Sequence, residues 1–227
     1  MADVATVVPG RSPRDAAIAA LHLLAGWRVT TEDHHLIDAL ADLGALPTRH
    51  ARIMRRPVAV PDGPEPAASP FVPHAVPSSS DPALWAPVLP AWRAAFPPEH
   101  PDHLDVDDAG AIDFHMRLVD GSDMGPLHRS SCLLTDANGR VVAGIMVNVR
   151  EGDPRSDGPW IADIWRDPSL RGSGVGSRLI ERAAHQLGVD GFTSLSLAVT
   201  AGNDAESAYE RAGFATVMDS RIFLLPT

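Results

Sequence analysis

A glycine-rich segment, Arg171-Gly172-Ser173-Gly174-Val175-Gly176-Ser177, decides how this chain is interpreted. It lies between an apolar stretch of strand character, residues 160–166, and an amphipathic stretch at 174–187. Glycines allow several backbone N–H groups to converge, and a helix that begins there adds the positive end of its dipole. The segment therefore predicts an anion site at a strand–loop–helix junction.

Three phosphate-binding patterns compete for this loop. A Walker loop needs a lysine after its last glycine, and all 19 basic residues of this chain are arginine. A dinucleotide fingerprint needs Gly-x-Gly-x-x-Gly, whereas the loop reads Gly-x-Gly-x-Gly. The third pattern, Arg-x-x-Gly-x-Gly, is satisfied by Arg171, Gly174 and Gly176.

Strand and helix patterns alternate on both sides of the loop. The predicted strands are 131–135, 141–149, 160–166, 194–200 and 214–225, and the predicted helices are 111–119, 174–187 and 204–212. The stretch 136–139 ends in Asn-Gly and predicts a hairpin turn. This alternation predicts an α/β or α+β sheet domain.

The first half of the chain has a different character. Residues 12–54 predict two short amphipathic helices that dock on the rest of the chain. Of 21 prolines, 13 lie between Pro57 and Pro101, which predicts a connector that is stiff and extended in part. Within it, 71–76 predicts an edge strand, and the prolines at 87 and 90 argue against one continuous helix over 84–96.

The loop and its surroundings resemble the GNAT superfamily of N-acetyltransferases. The Arg-x-x-Gly-x-Gly loop is similar to the family's acyl-CoA pyrophosphate loop, and residues 161–168 to its splayed fourth strand. Residues 203–214 resemble its Asn-x-x-Ala-x-x-x-Tyr-x-x-x-Gly-Phe segment. The resemblance is clear over 125–225 and looser over 70–124. It implies a mixed, mostly antiparallel central sheet flanked by helices.

The resemblance also suggests a domain division. Residues 66–227 are expected to form the GNAT domain. Residues 1–65 lie outside the single-domain pattern and are expected to form a small N-terminal helical extension. Residues 33–56 bear a faint similarity to the tail of a second, degenerate copy.

The resemblance implies which residues hold acetyl-CoA. Backbone N–H groups of the loop would hold the pyrophosphate: Arg171, Gly172, Ser173, Gly174, Val175, Gly176 and Ser177. Backbone groups of Ile164, Trp165 and Arg166 would pair with the pantetheine arm, although the family usually has an apolar residue where Arg166 stands. Asn203 is either a helix N-cap or a contact of the pantetheine, and one amide can serve both roles.

Two residues are candidates for the chemistry. Tyr209, the only tyrosine, matches the family's general acid, which protonates the CoA thiolate; the alternative is a packing residue. Asp163 shares a strand face with Ile161 and Trp165 and is a candidate base for the acceptor amine. The alternatives are a structural acid at Asp163 or a water chain as the base.

Composition excludes several functions. With 19 basic and 29 acidic residues the net charge is −10, which argues against binding nucleic acid or an anionic membrane. Cys132 is the only cysteine, so the sequence favours a reducing, cytoplasmic location and offers no cysteine zinc site. No signal peptide and no apolar run of about 20 residues is apparent. The ten histidines do not suggest a metal site, since prolines interrupt the stretch around His100 and His103.

The function predicted from this resemblance is acetyl transfer from acetyl-CoA to a primary amine of a small molecule or peptide by direct attack, in a monomer or homodimer. The alternatives are a non-catalytic acyl-CoA sensor or interaction module and, less favoured, a nucleotide-phosphate binder. The acidic run at positions 102, 105, 107 and 108 is interpreted as a solvated face, with attraction of a cationic amine as the alternative.

Overall fold

A computed structural model of the chain describes residues 3–4, 12–151 and 158–227. Residues 1–2 and 5–11 lie outside these ranges. The prediction that there is no signal peptide concerns this stretch. Among the described residues, no helix combines the length and the apolar character needed to cross a bilayer.

The described residues form helices and strands that alternate along most of the chain. The strands are β1 (Asp3–Val4), β2 (Arg28–Thr31), β3 (Leu46–Pro57), β4 (Val72–His74), β5 (Cys132–Thr135), β6 (Val141–Arg150), β7 (Gly158–Arg166), β8 (Ser194–Thr200) and β9 (Ala215–Leu224). The helices are α1 (Pro13–Leu23), α2 (His34–Asp42), α3 (Pro82–Trp85), α4 (Leu89–Ala95), α5 (Asp108–Val119), α6 (Val175–Val189) and α7 (Ala205–Arg211). Most neighbouring strands are antiparallel, which confirms the predicted fold class.

These elements belong to two compact units. The larger unit comprises 55–197 and 207–215. The smaller unit comprises 198–206, 216–227 and the described part of 1–54. The division of the chain at residue 65 into an extension and a GNAT domain stays a prediction.

The sheet of the larger unit has β6 at its centre. Its strand order is β8–β7–β6–β5–β4, so β4 is an edge strand as predicted. The first eight residues of β6 are buried on both faces, which explains why all of them except Asn148 are apolar. The predicted turn at 136–139 joins β5 to β6 as an antiparallel hairpin.

Helices α3, α4 and α5 contribute to the aromatic core of the larger unit. Trp85, Trp92 and Trp165 are all at most 4% exposed and belong to one apolar cluster with Leu133 and Ile112. The prolines between 82 and 90 divide the predicted helical stretch into α3 and α4, so the expectation of a broken helix is confirmed. Through this cluster, α4 packs against β7.

Helix α6 connects two parallel strands, β7 and β8, and therefore forms a βαβ crossover. Its predicted apolar face is confirmed, because Val175, Leu179, Ala183 and Leu187 are fully buried. The proline-rich connector also packs on α6. Arg182 on this helix donates to the carbonyl oxygen of Pro66 at 2.7 Å.

The smaller unit has its own core. Helices α1 and α2 begin at the N-caps Ser12 and Asp33, whose side chains accept backbone N–H bonds. Leu36 and Leu40 of α2 pack with Phe223 of β9 in one apolar cluster. The two helices predicted within 12–54 are present as α1 and α2, but the stretch also contains two strands that were not predicted: β2 pairs with β9, and β3 follows α2.

Candidate functional site

The glycine-rich loop lies between a short 3-10 turn, Pro168–Leu170, and the start of α6. Gly172 and Gly174 have φ of +80° and +77°, a left-handed conformation that side chains disfavour. Gly174 is also the N-cap of α6. The two glycines therefore fold the chain back so that the loop leads directly into the helix.

The backbone N–H groups of the loop differ in whether the described residues offer them an acceptor. Ser173 N–H donates to Leu170 O at 3.1 Å, and Val175 N–H donates to Ser173 Oγ at 3.4 Å. Within the described parts of the chain, no acceptor is found for the N–H groups of Gly172, Gly174, Gly176 and Ser177. Together with the helix start, these donors form a cluster suited to an anion.

Gly176 provides a test of whether this loop fits a ligand. It lies in the first turn of α6 without a positive φ, and a Cβ built on it would meet no atom within 4 Å. Neither backbone conformation nor internal packing therefore requires glycine there, and alanine would favour the helix more. An open surface above a bare backbone is what a closely approaching diphosphate needs, so these residues fit the pyrophosphate of CoA.

The loop is held in place by a residue that the sequence interpretation missed. Arg178, one turn into α6, donates from Nη1 to the carbonyl oxygen of Ser173 at 2.9 Å. This contact orients the Ser173 carbonyl toward the helix.

Strand β7 separates from β8 close to the loop. The parallel pairing joins Trp160 to Ser196 and Ile161 to Leu197. In the described register, residues 162–166 have no β8 partner on that edge, although 163–166 still pair with β6 on the other. This opening exposes a backbone edge, as the resemblance to a splayed strand implied.

The three β7 positions expected to contact pantetheine differ in where their side chains lie. Trp165 is 4% exposed and packs in the aromatic core, while Ile164 and Arg166 are partly exposed. Arg166 Nη1 bonds to the carbonyl oxygen of Asp167 at 3.4 Å. At Trp165, therefore, the backbone and not the side chain is available for a ligand contact.

Asp163 is buried on the face of β7 that was expected. Its Oδ2 accepts a hydrogen bond from Trp92 Nε1 at 3.0 Å and lies 3.5 Å from His115 Nε2. His115 is 1% exposed and bonds through Nδ1 to Ala111 O at 2.8 Å. Neither the hydrogen bond from Trp92 nor the position of His115 could be predicted from the sequence, because nothing local shows that α5 faces β7.

Tyr209 lies within electrostatic reach of this cluster. Burial raises the pKa of its phenol above the usual range, and the negative charges of Asp163 and Asp102 raise it further. The structure thus brings Tyr209 and Asp163, the two predicted catalytic residues, into one electrostatic environment. Tyr209 is partly buried, and its ring lies 6.0 Å from that of Phe214.

Asn203, the remaining predicted contact of CoA, belongs to the smaller unit. Its Oδ1 accepts the N–H of Ala205 at 2.9 Å, which confirms the predicted cap at the start of α7. All other predicted site residues belong to the larger unit.

Other polar groups near the site have structural partners. Asp107 caps α5 by accepting from Gly110 N–H at 2.8 Å, and Asp108 pairs with Arg93. Burial raises the pKa of Cys132 to about 11, so its thiol is poorly suited to act as a nucleophile. Across residues 3–4, 12–151 and 158–227, no group of three or more His, Cys, Asp and Glu is arranged to hold a metal ion.

Comparison with known proteins places this fold and loop in a family. The model of the acetyltransferase (GNAT) family matches residues 85–214, which is more than half of the chain. The chain therefore belongs to the GNAT acetyltransferase family. No curated protein matches the sequence significantly.

Solved structures share the fold at low sequence identity. A GCN5-related N-acetyltransferase from Sphaerobacter thermophilus is 18% identical with a TM-score of 0.57, over 88% of this chain and 59% of that one. One from Kribbella flavida is 17% identical with a TM-score of 0.55, over 100% and 81%. A GNAT acetyltransferase from Colwellia psychrerythraea is 10% identical with a TM-score of 0.58, over 97% and 75%. This chain thus spans about three fifths of the Sphaerobacter protein's length.

Proposed function

We propose that this protein transfers the acetyl group of acetyl-CoA to a primary amine of a small molecule or peptide. The observation that carries the proposal is the glycine loop at the start of α6, which has N–H donors without an acceptor among the described residues and open space above Gly176. Membership of the acetyltransferase family supports the same reaction class.

The loop residues would bind the diphosphate of CoA. The N–H groups of Gly172, Gly174, Gly176 and Ser177 supply donors, and α6 supplies the favourable end of its dipole. The open edge of β7 would hold the pantetheine arm by backbone hydrogen bonds, as an added strand does. When bound, acetyl-CoA supplies an activated thioester beside that strand.

Asp163 would act on the acceptor amine. Its Oδ2 accepts a hydrogen bond from Trp92 Nε1–H, which fixes the carboxylate in position to take a proton from the amine. An unprotonated amine can then attack the thioester carbonyl directly. A backbone N–H of β7 near Ile164 would stabilise the developing oxyanion by roughly 3–4 kcal/mol.

Tyr209 would assist the departing thiolate. The phenol is protonated at neutral pH and can donate a hydrogen bond, and burial and neighbouring carboxylates raise its pKa further above the ordinary value. The same shift makes complete proton transfer less favourable than from an ordinary phenol of pKa ~10 to a thiol of pKa ~8.5. Tyr209 therefore stabilises negative charge on sulfur before the proton moves.

The experiment is acetyl-CoA turnover over a panel of amines, with acetylated product detected by mass spectrometry. Tyr209→Phe is expected to lower kcat by about 10²–10⁴-fold while leaving KM for acetyl-CoA nearly unchanged, since only the acid is removed. An undiminished rate in the variant would remove Tyr209 from the chemistry. Binding of acetyl-CoA without transfer to any amine would instead support a non-catalytic module.

A further inference from the structure

His115 combines full burial with an unused ring nitrogen. Nδ1 is 2.8 Å from the carbonyl oxygen of Ala111, and a carbonyl can only accept, so Nδ1 carries a proton. The neutral ring then has a bare lone pair on Nε2. Nε2 is buried and has no hydrogen-bond partner among the described residues.

The lone pair of Nε2 faces a carboxylate. Asp163 Oδ2 lies 3.5 Å away, so two hydrogen-bond acceptors are opposed in a site where the imidazole is 1% exposed. One proton placed between them converts this contact into a charge-assisted hydrogen bond. Burial of both groups makes the protonated arrangement stronger than it would be in water.

We propose that His115 and Asp163 form a dyad that takes up the proton released by the acceptor amine. This inference rests on the proposed acetyl transfer and extends it. Asp163 receives the proton, and His115, as a positioning residue, holds it at Nε2.

The protons balance in this scheme. An acceptor that arrives as an ammonium ion loses one proton to Asp163, and the net charge of the dyad changes from −1 to 0. The proton settles at His115 Nε2, leaving an imidazolium beside a carboxylate. The nitrogen then forms the amide C–N bond as the thioester C–S bond breaks. The second departing proton ends on the CoA sulfur, and the dyad later returns the first proton to solvent.

Aromatic rings surround the imidazole of His115. The ring centroids of Trp85 and Trp92 are each 4.9 Å from the imidazole centroid, and that of Phe114 is 5.2 Å away. Helices α3 and α4 therefore present indole rings to His115. Asp163 of the dyad is also within electrostatic reach of Tyr209 on α7, and Asp102, in the loop before α5, acts on the same phenol.

Nitrogen NMR of the imidazole tests the dyad without turnover. In ¹⁵N-labelled full-length protein, His115 is assigned by the signal lost in His115→Gln. We expect the Nδ1 signal to show an attached proton, and the Nε2 signal to move in Asp163→Asn because the carboxylate that faces Nε2 is gone. A proton on Nε2 with Nδ1 bare, or an Nε2 signal that Asp163→Asn does not move, would overturn the dyad.

Trp92→Phe provides a second variant if Asp163→Asn does not fold. It removes the donor to Oδ2 but keeps an aromatic ring. Because Oδ2 then loses a competing partner, we expect the Nε2 signal of His115 to move. An unchanged Nε2 signal would contradict a proton shared with Oδ2.

Kinetics distinguish the dyad from a structural histidine. His115→Gln keeps a donor toward Asp163 but has no site that takes up a proton. We expect at least tenfold lower kcat and a displaced acidic limb of the pH–rate profile, with KM for acetyl-CoA unchanged. The matched control is His35→Gln, at an exposed histidine of the smaller unit.

The kinetic and NMR experiments distinguish failure of the dyad from failure of the proposed acetyl transfer. A wild-type pH profile in His115→Gln would overturn the dyad while acetyl transfer stands. Absence of turnover in the wild-type protein would contradict the proposed function, whereas the imidazole spectra decide whether the proton is shared.

Discussion

Tyr209 shows how a single side chain is tuned by its surroundings. A phenol at the surface titrates near pH ~10. Here burial is the largest influence on the Tyr209 pKa, and the carboxylates of Asp163 and Asp102 act in the same direction, so the neutral phenol is favoured. The residue is thereby kept in the form that can donate a hydrogen bond.

Because Tyr209 is the only tyrosine, its ionisation can be observed directly. We expect the absorbance of phenolate near 295 nm to be absent in native protein at pH ~10, where an unperturbed tyrosine is half ionised. The sign follows from the raised pKa, since the charged form is disfavoured only in the folded state. Protein unfolded in denaturant is the control and should titrate near pH ~10; native protein that titrates there too would contradict the account.

Individual site residues were predictable to different degrees. Tyr209 and Asp163 could be identified because each belongs to a linear pattern with a physical or family meaning. His115 could not, because its significance depends on a contact between α5 and β7, 48 positions apart in sequence. The sequence also gives no sign that Trp92 donates to Asp163.

At the level of elements, α6 contains two glycines with opposite environments. Gly176 has open space where a Cβ would lie. At Gly188, near the other end of the helix, a Cβ would lie 2.2 Å from Ala59 O and 3.0 Å from Pro61 Cδ. One glycine thus keeps a surface open, and the other allows the connector to pack against the helix.

Alanine at these two positions should have opposite effects. Gly176→Ala should leave stability unchanged or raise it by up to ~1 kcal/mol, because alanine favours helix. It should also weaken CoA binding at least tenfold, about 1.4 kcal/mol, because a methyl group enters the diphosphate space. Gly188→Ala should lower the free energy of unfolding by about 1–3 kcal/mol through overpacking.

Denaturant unfolding and calorimetric CoA titration measure both effects. Gly63→Ala is a matched control, since a Cβ there meets no atom within 4 Å and the position lies outside the loop. Equal CoA affinity in Gly176→Ala and the wild-type protein would contradict the assignment of the loop as the diphosphate site.

Elements with strong patterns were predicted, and weak ones were missed. The buried strand β6 and the apolar face of α6 have clear periodicity. Strand β2 has four residues, and β3 contains arginines at 49, 52, 55 and 56, so neither has the apolar signal of a strand. Both are formed by tertiary pairing, as between Val29 and Phe223, which a linear pattern does not contain.

On the scale of the whole molecule, the smaller unit combines the two ends of the described chain. Strand β2 pairs antiparallel with β9 from Arg28–Leu224 to Thr31–Arg221. Phe223 of β9 is 1% exposed in a core shared with Leu40 of α2. The N-terminal segment therefore supplies part of the core around the last strand.

Removing residues 1–65 should consequently destabilise the remainder. We expect the 66–227 fragment to unfold at lower temperature than the full chain and to aggregate more readily, since the apolar side chains of β9 lose their partners. Circular dichroism with thermal scanning checks this. A fragment as stable as the whole chain would support the division at residue 65 as an independent domain boundary.

Point substitutions within the smaller unit refine this test. Leu40→Ala, at a fully buried position, should cost about 2–5 kcal/mol of stability. The control, Leu23→Ala, is at a position 80% exposed and should change stability by less than about 0.5 kcal/mol.

The most direct test of the central claim is calorimetric titration of the full chain with acetyl-CoA, repeated in the presence of CoA and of ATP. The account predicts one binding site per chain, displaced by CoA and not by ATP at equal concentration. Absence of binding heat over the working temperature range, or equal displacement by ATP, would contradict it.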